Sequence, residues 1–166
     1  MKIYSNKINF NAETFETTST MQTDLGTFVS IAKVKEKDKG KESSFVGADV
    51  AVLKNFSKYM RRKAALAGEK AAFLHKILIS MDKKYHIDCG YETVDEMWYY
   101  IDKQFVDQLR LQKEYRKKAK FYRESMIKLI KQRRKDLTHL NRVKRKMEYQ
   151  AALRKELEED NDSSNK

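Results

Sequence analysis

The chain has 166 residues, 40% of them hydrophobic and 36% charged, with a formal net charge of +12. Its single cysteine, Cys89, excludes an intramolecular disulfide and fits a reducing compartment. No stretch approaches the roughly 18 apolar residues of a membrane span, and the first residues lack the apolar run of a signal peptide. The expectation is a soluble protein, cytoplasmic or within a particle, and not secreted. Proline is absent, which suits long helices, because an interior proline removes a hydrogen bond and clashes with the preceding turn.

Residues 1–46 read as an extended or β-like arm with a charged linker. Lys2-Ile3-Tyr4 and Lys7-Ile8-Asn9-Phe10 alternate weakly and suggest a short strand. A Thr-rich stretch runs from Thr14 to Thr23, and Asp24-Leu25-Gly26 has turn composition. Thr27 to Val34 is the best strand candidate, being rich in β-branched residues. Lys35 to Ser44 contains no apolar residue and reads as a linker. The arm is expected to hook a neighbouring chain through a free edge of the Thr27–Val34 strand. Its deletion is expected to leave the helices intact.

Residues 47–158 read as a long helical hairpin with a basic rod. The first helix is expected to start near Asp49, with Asp49 as N-cap. Leu53, Phe56, Met60, Ala64, Ala67, Ala71, Leu74, Leu78, Met81 and Tyr85 follow at steps of three and four, close to a 3.5-residue seam. Gly68 in the small middle of that seam is either a tolerated helix glycine or a point of close helix approach. Gly90 marks a turn. Thr93-Val94-Asp95-Glu96 has the form of a capping box. From there a helix to about residue 157 would be on the order of 100 Å long. The first helix could pair with only the first half of it. Residues 159–166 are expected to form an acidic, polar, disordered tail. The fold class is thus mainly α: a long antiparallel helical hairpin or coiled coil, with one extended basic helix and a small β-like N-terminal arm.

Charge is concentrated in one place. Between Arg110 and Lys146 there are 16 Lys and Arg against 3 acids, a net of +13. Residues 1–109 carry 17 basic and 15 acidic groups, a net of +2, and residues 147–166 carry 3 and 6, a net of −3. A solvated helix normally intersperses both signs, and this one does not. Such a block attracts polyanions, and each Lys or Arg contact to a phosphate also releases condensed counterions. The candidate nucleic-acid-binding residues are Arg110, Lys113, Arg116, Lys117, Lys118, Lys120, Arg123, Lys128, Lys131, Arg133, Arg134, Lys135, Arg142, Lys144, Arg145 and Lys146. Tyr115, Phe121 and Tyr122 lie among them and could stack on exposed bases. No zinc-finger spacing, helix-turn-helix or RNP-like strand accompanies the block, and no leucine zipper follows it, so the expected contact is with backbone or shape, in DNA or RNA.

Trp98, Tyr99, Tyr100 and Phe105 form the densest aromatic group, read first as packing between the two helices and second as an exposed docking patch. His86, Asp88 and Cys89 fall short of the three or four ligands of a zinc site. No phosphate loop, nucleophile elbow or dinucleotide fingerprint occurs. The sequence therefore predicts a non-enzymatic protein with no cofactor, no metal and no small-molecule substrate. Two functions compete. One is binding of nucleic-acid backbone without strong sequence specificity. The other is a structural subunit of a large assembly, a virion or other multi-subunit particle, that meets a protein partner or a second copy through the arm and the helical seam.

Overall fold

The computed structural model describes residues 2–34, 44–85 and 91–164, with side chains placed through 2–34, 45–81 and 96–152. The chain is mostly helical, with a small antiparallel sheet at its N-terminal end. Three strands, β1 (Ile3–Asn11), β2 (Glu16–Thr23) and β3 (Gly26–Lys33), precede two helices, α1 (Ser44–Tyr85) and α2 (Tyr91–Ser164). The strands lie in chain order, each antiparallel to the next.

Both sheet turns are fixed by side chains. After β1, the Asn11 Oδ1 accepts from the amides of Glu13 at 2.9 Å and Thr14 at 3.1 Å, the local bond that favours Asn in turns. After β2, the Thr23 hydroxyl accepts from the Leu25 amide at 3.0 Å and donates to the Gly26 carbonyl at 2.9 Å. Gly26 has φ 103°, a value that side chains disfavour.

The Thr-rich stretch forms the central strand. Thr17, Ser19, Met21 and Thr23 of β2 are buried, and the residues between them are not. The two-residue period of a half-buried strand is present, but it is written largely in hydroxyl residues. Ser19 is opposite Ile8 and Ser30, and Met21 is opposite Asn6 and Phe28. The buried polar face is served by α1. Asn55 Nδ2 donates to the Ser19 carbonyl at 2.8 Å and to Ser19 Oγ at 2.9 Å, and Ser19 Oγ donates to Asn6 Oδ1 at 2.9 Å. Buried polar groups persist when they find such partners.

The sheet shares a core cluster with both helices. Met21 and Tyr59 are fully buried in one cluster with Met60 and Ala119, against which Phe28, Phe56, Tyr115 and Tyr122 pack. This packing weighs against the expectation that deleting the N-terminal segment leaves the helices intact, which truncation would test. β2 supplies the side chain that covers Tyr59.

α1 begins at Ser44, not at Asp49. Asp49 stands exposed in its second turn, and Gly47 lies inside the helix. A Cβ at Gly47 would collide with Oγ1 and Cβ of Thr17, so the glycine lets α1 start directly against β2. The seam runs as expected through Met60, Ala64, Ala67, Ala71, Leu78 and Met81, all buried. Positions that rise along α1 meet positions that fall along α2. Ser57 Oγ donates to the Ala119 carbonyl at 3.1 Å, Gly68 sits against the Gln112 amide, and His75 stacks on Phe105 at 5.3 Å.

α2 begins at Tyr91 and continues to Ser164, beyond the expected end near 157. No glycine or proline interrupts it, and helix propagation is easier than nucleation. The helix bounds thus take in residues 159–164 of the expected tail. The capping box at Thr93, the linker from Lys35 to Ser43 and the His86–Gly90 turn rest on atoms outside those described. With 74 residues, α2 is about 111 Å long, against about 63 Å for α1 with 42.

Candidate nucleic-acid interface

The apolar side of α2 is occupied by α1 as far as the cluster of Val50 and Ala51 with Met126, Leu129 and Ile130. Along that paired stretch Arg110, Lys113, Arg116, Lys117, Lys118, Lys120, Arg123, Lys128 and Lys131 are all exposed. The reason is periodicity. Residues 101, 105, 108, 112, 115, 119, 122, 126 and 129 follow the seam, and none of these cations falls on it.

Farther along, Lys135, Arg142, Lys144, Arg145 and Lys146 are exposed on the part of α2 that extends beyond α1. Acids offset few of the cations. Arg110 meets Asp107 at 3.6 Å, Lys120 meets Glu124 at 3.8 Å and Lys144 meets Glu148 at 3.8 Å. These are exposed pairs three or four residues apart along the helix and contribute a few tenths of a kcal/mol each, roughly. From Arg110 to Lys146 the helix spans about 54 Å, or one cation per about 3.4 Å. That is close to the phosphate spacing along one nucleic-acid strand. Lys128, Lys131 and Lys135, with Ser125, Leu129 and Gln132, line an open depression on this face.

Two of the candidate cations differ from the rest. Arg133 and Arg134 are only partly exposed. Arg133 occupies a seam position, and its Nε is buried without a hydrogen-bond partner. Arg133 is thus drawn partly into the packed side of the helix.

The interleaved aromatics also divide. Tyr122 stacks on Phe56 at 5.2 Å, and Tyr115 lies under the Lys63 ammonium at 5.7 Å. Both are committed to the α1 contact. Phe121 remains 63% exposed and touches only the edge of Tyr122. Of the three, Phe121 is the exposed side chain.

At the opposite end of α2, Phe105 packs with Leu78, Met81 and Ile101. Its sequence neighbours do not follow it inward. Trp98 is 42% exposed, Tyr99 67% and Tyr100 63%. The aromatic group thus divides into one side chain that packs between the helices and three that face outward.

Sequence reasoning missed the role of cations on α1. Lys54 Nζ donates to the Ile31 carbonyl at 2.7 Å, and Lys58 Nζ to the Val29 carbonyl at 2.5 Å. These carbonyls lie on the outer edge of β3, so the lysines occupy acceptors that a foreign strand would use. The strand singled out as a docking edge is the guarded one. Burial among β3 and neighbouring charge hold the Lys54 ammonium below its usual pKa. The i, i+4 spacing of Lys54 and Lys58 was visible in the sequence, but their target lies 23 to 29 residues away.

Among the described residues no cluster of His, Cys, Asp and Glu could hold a metal ion, and no helix is long and apolar enough to cross a membrane. Compared with protein-family models, curated proteins and solved structures, the chain matches none.

Proposed function

We propose that this protein binds the backbone of nucleic acid, without strong sequence preference, along the outer face of α2 from Arg110 to Lys146. The supporting fold reading is an antiparallel helical hairpin with coiled-coil packing, in which α1 holds one side of α2 and frees the other for solvent. The observation that carries the proposal is the density of cations along one continuous helix, all but Arg133 and Arg134 exposed, with an average rise per cation of about the phosphate spacing on a strand. No base-reading arrangement accompanies it, so affinity comes from phosphate contacts.

The test is a salt series on full-length protein with unrelated duplexes. Binding should weaken steeply and similarly for all sequences as salt rises. A preference of more than about tenfold for one sequence, or a flat salt response, would overturn the proposal.

A second reading, a structural subunit of a large assembly such as a virion, is favoured by one observation. With the β3 edge guarded, β1 is the edge strand left for a neighbour, and Tyr4, Ile8 and Phe10 on it are 68%, 47% and 44% exposed. Salt-resistant self-assembly without nucleic acid would support this reading over the first.

A further inference from the structure

We infer that the occupant of the basic face of α2 is a single nucleic-acid strand lying lengthwise along the helix, a reading that rests on the backbone binding proposed above and adds the form and course of the partner. Successive residues of a helix point about 100° apart. On that basis 13 of the 16 cations between Arg110 and Lys146 fall within an arc of about 140°, from Arg123 at one margin to Arg110, Lys128 and Lys146 at the other. Lys118, Arg133 and Lys144 lie outside it. Of the three acids only Glu124 falls inside, and it pairs with Lys120. All the cations of the arc except Arg134 are exposed.

This stripe does not follow the packing. A seam that repeats every 3.5 residues or so drifts about 20° per heptad around the helix, so the contact with α1 turns by about 60° from Phe105 to Met126. Between residues 110–123 and 128–146 the centre of the stripe moves by only about 20°, and in the opposite sense. Cations placed merely to avoid α1 would turn with the seam. These keep one side of the axis for about 54 Å, which fits a partner that presents its phosphates in a row. A duplex laid along the rod does not, because each of its strands winds away and returns only once per turn of about 34 Å. Much of the stripe would then face an empty groove. An extended strand keeps phosphates beside the stripe throughout, and flexible lysine stems draw charge from across the arc onto it. Phe121, 63% exposed, stands about 20° beyond the margin that holds Lys128, where unpaired bases of that strand can stack.

The experiment measures binding of the full chain to thymidine oligomers of increasing length and to a duplex of about 16 base pairs, each over a range of salt. At about 3.4 Å per nucleotide the stripe spans about 16 nucleotides. Affinity and salt slope should climb with oligomer length to about that size and then level off. Dividing each slope by about 0.7 for single strands and about 0.9 for duplex gives the number of phosphates neutralised, which should be smaller for the duplex. Lys120→Gln with Lys131→Gln, both within the stripe, should lower the single-strand slope by about 1.4. Lys118→Gln with Lys144→Gln removes the same charge outside it and should leave the slope unchanged. All four lysines are exposed, and circular dichroism confirms that both variants stay helical. Equal losses from the two pairs, or as many phosphates neutralised on the duplex, would overturn the inference and leave backbone binding in place. Binding to neither form would instead overturn the backbone reading, and this one with it.

Discussion

The Tyr59 hydroxyl, on a fully buried side chain of α1, donates to Asp24 Oδ1 at 2.6 Å in the β2–β3 turn. Lys63, one turn farther along α1, lies 3.8 Å from Asp24 Oδ2 and 5.1 Å from the Tyr59 ring centre. This cluster ties the end of the sheet to both helices, because Lys63 also reaches the Tyr115 ring of α2.

That arrangement sets a pH dependence. The Tyr59 hydrogen bond, aided by Lys63, holds the Asp24 carboxyl below its usual pKa, although partial burial acts the other way. A depressed carboxyl stabilises the fold above its unfolded pKa of about 3.9 and stops doing so as pH falls through the folded value. Burial first, and the Asp24 bond second, raise Tyr59. Its contribution is present below about pH 10 and is lost as pH rises through the folded value. Lys63 is also raised, chiefly by Tyr59, and its contribution is lost on the alkaline side in the same way. Urea midpoints should fall below about pH 4, and Asp24→Asn should flatten that acid limb.

Met21 is completely buried against Tyr59. Met21→Ala should lower unfolding free energy by about 2–5 kcal/mol, the range for a large-to-small change in a packed core. Removing residues 1–34 should lower the thermal midpoint and expose the Tyr59 ring to solvent. Circular dichroism and tyrosine fluorescence on the truncated chain check this, and an unchanged midpoint would mean that the sheet contributes nothing to the core.

The two helix glycines should respond differently to alanine. At Gly47 the new methyl meets Oγ1 and Cβ of Thr17 on the central strand. The net loss should be about 1–3 kcal/mol, despite better helix propensity. At Gly68 the obstacle is the end of the flexible Gln112 side chain. Gly68→Ala should be neutral or stabilising by up to about 1 kcal/mol. Chemical denaturation of both variants decides between them.

Replacing Lys117, Lys120 and Lys128 by Gln should reduce the slope of log affinity against log salt by up to about 2.7 for duplex DNA, or about 0.9 per phosphate contact. These residues are exposed and off the seam, so thermal stability should not change. Phe121→Ala should weaken binding to single strands more than to duplexes, since only unpaired bases offer a face to stack on. Filter binding at several salt concentrations measures both effects.

The sequence by itself determined the long helices, the seam and the place of the charge. Those properties repeat every three or four residues, so a local reading detects them. Met60, Ala64, Ala67, Ala71, Leu78 and Met81 became buried on that pattern, and cations such as Lys117 and Lys131 stayed outside for the same reason. Only the tertiary structure decided the rest. The strand Glu16–Thr23 is central because Asn55 and Met21 find partners across the fold, and its Thr and Ser residues give no apolar alternation to read. Lys54 and Lys58 guard the β3 edge through bonds to carbonyls far away in sequence. Gly47 lies inside α1 because Thr17 comes too close for a side chain there. Phe105 packs inward while Tyr99 and Tyr100 face out, because α1 covers only one stripe of α2. In each case the deciding partner is distant along the chain, and its position exists only once the helices and the sheet have packed.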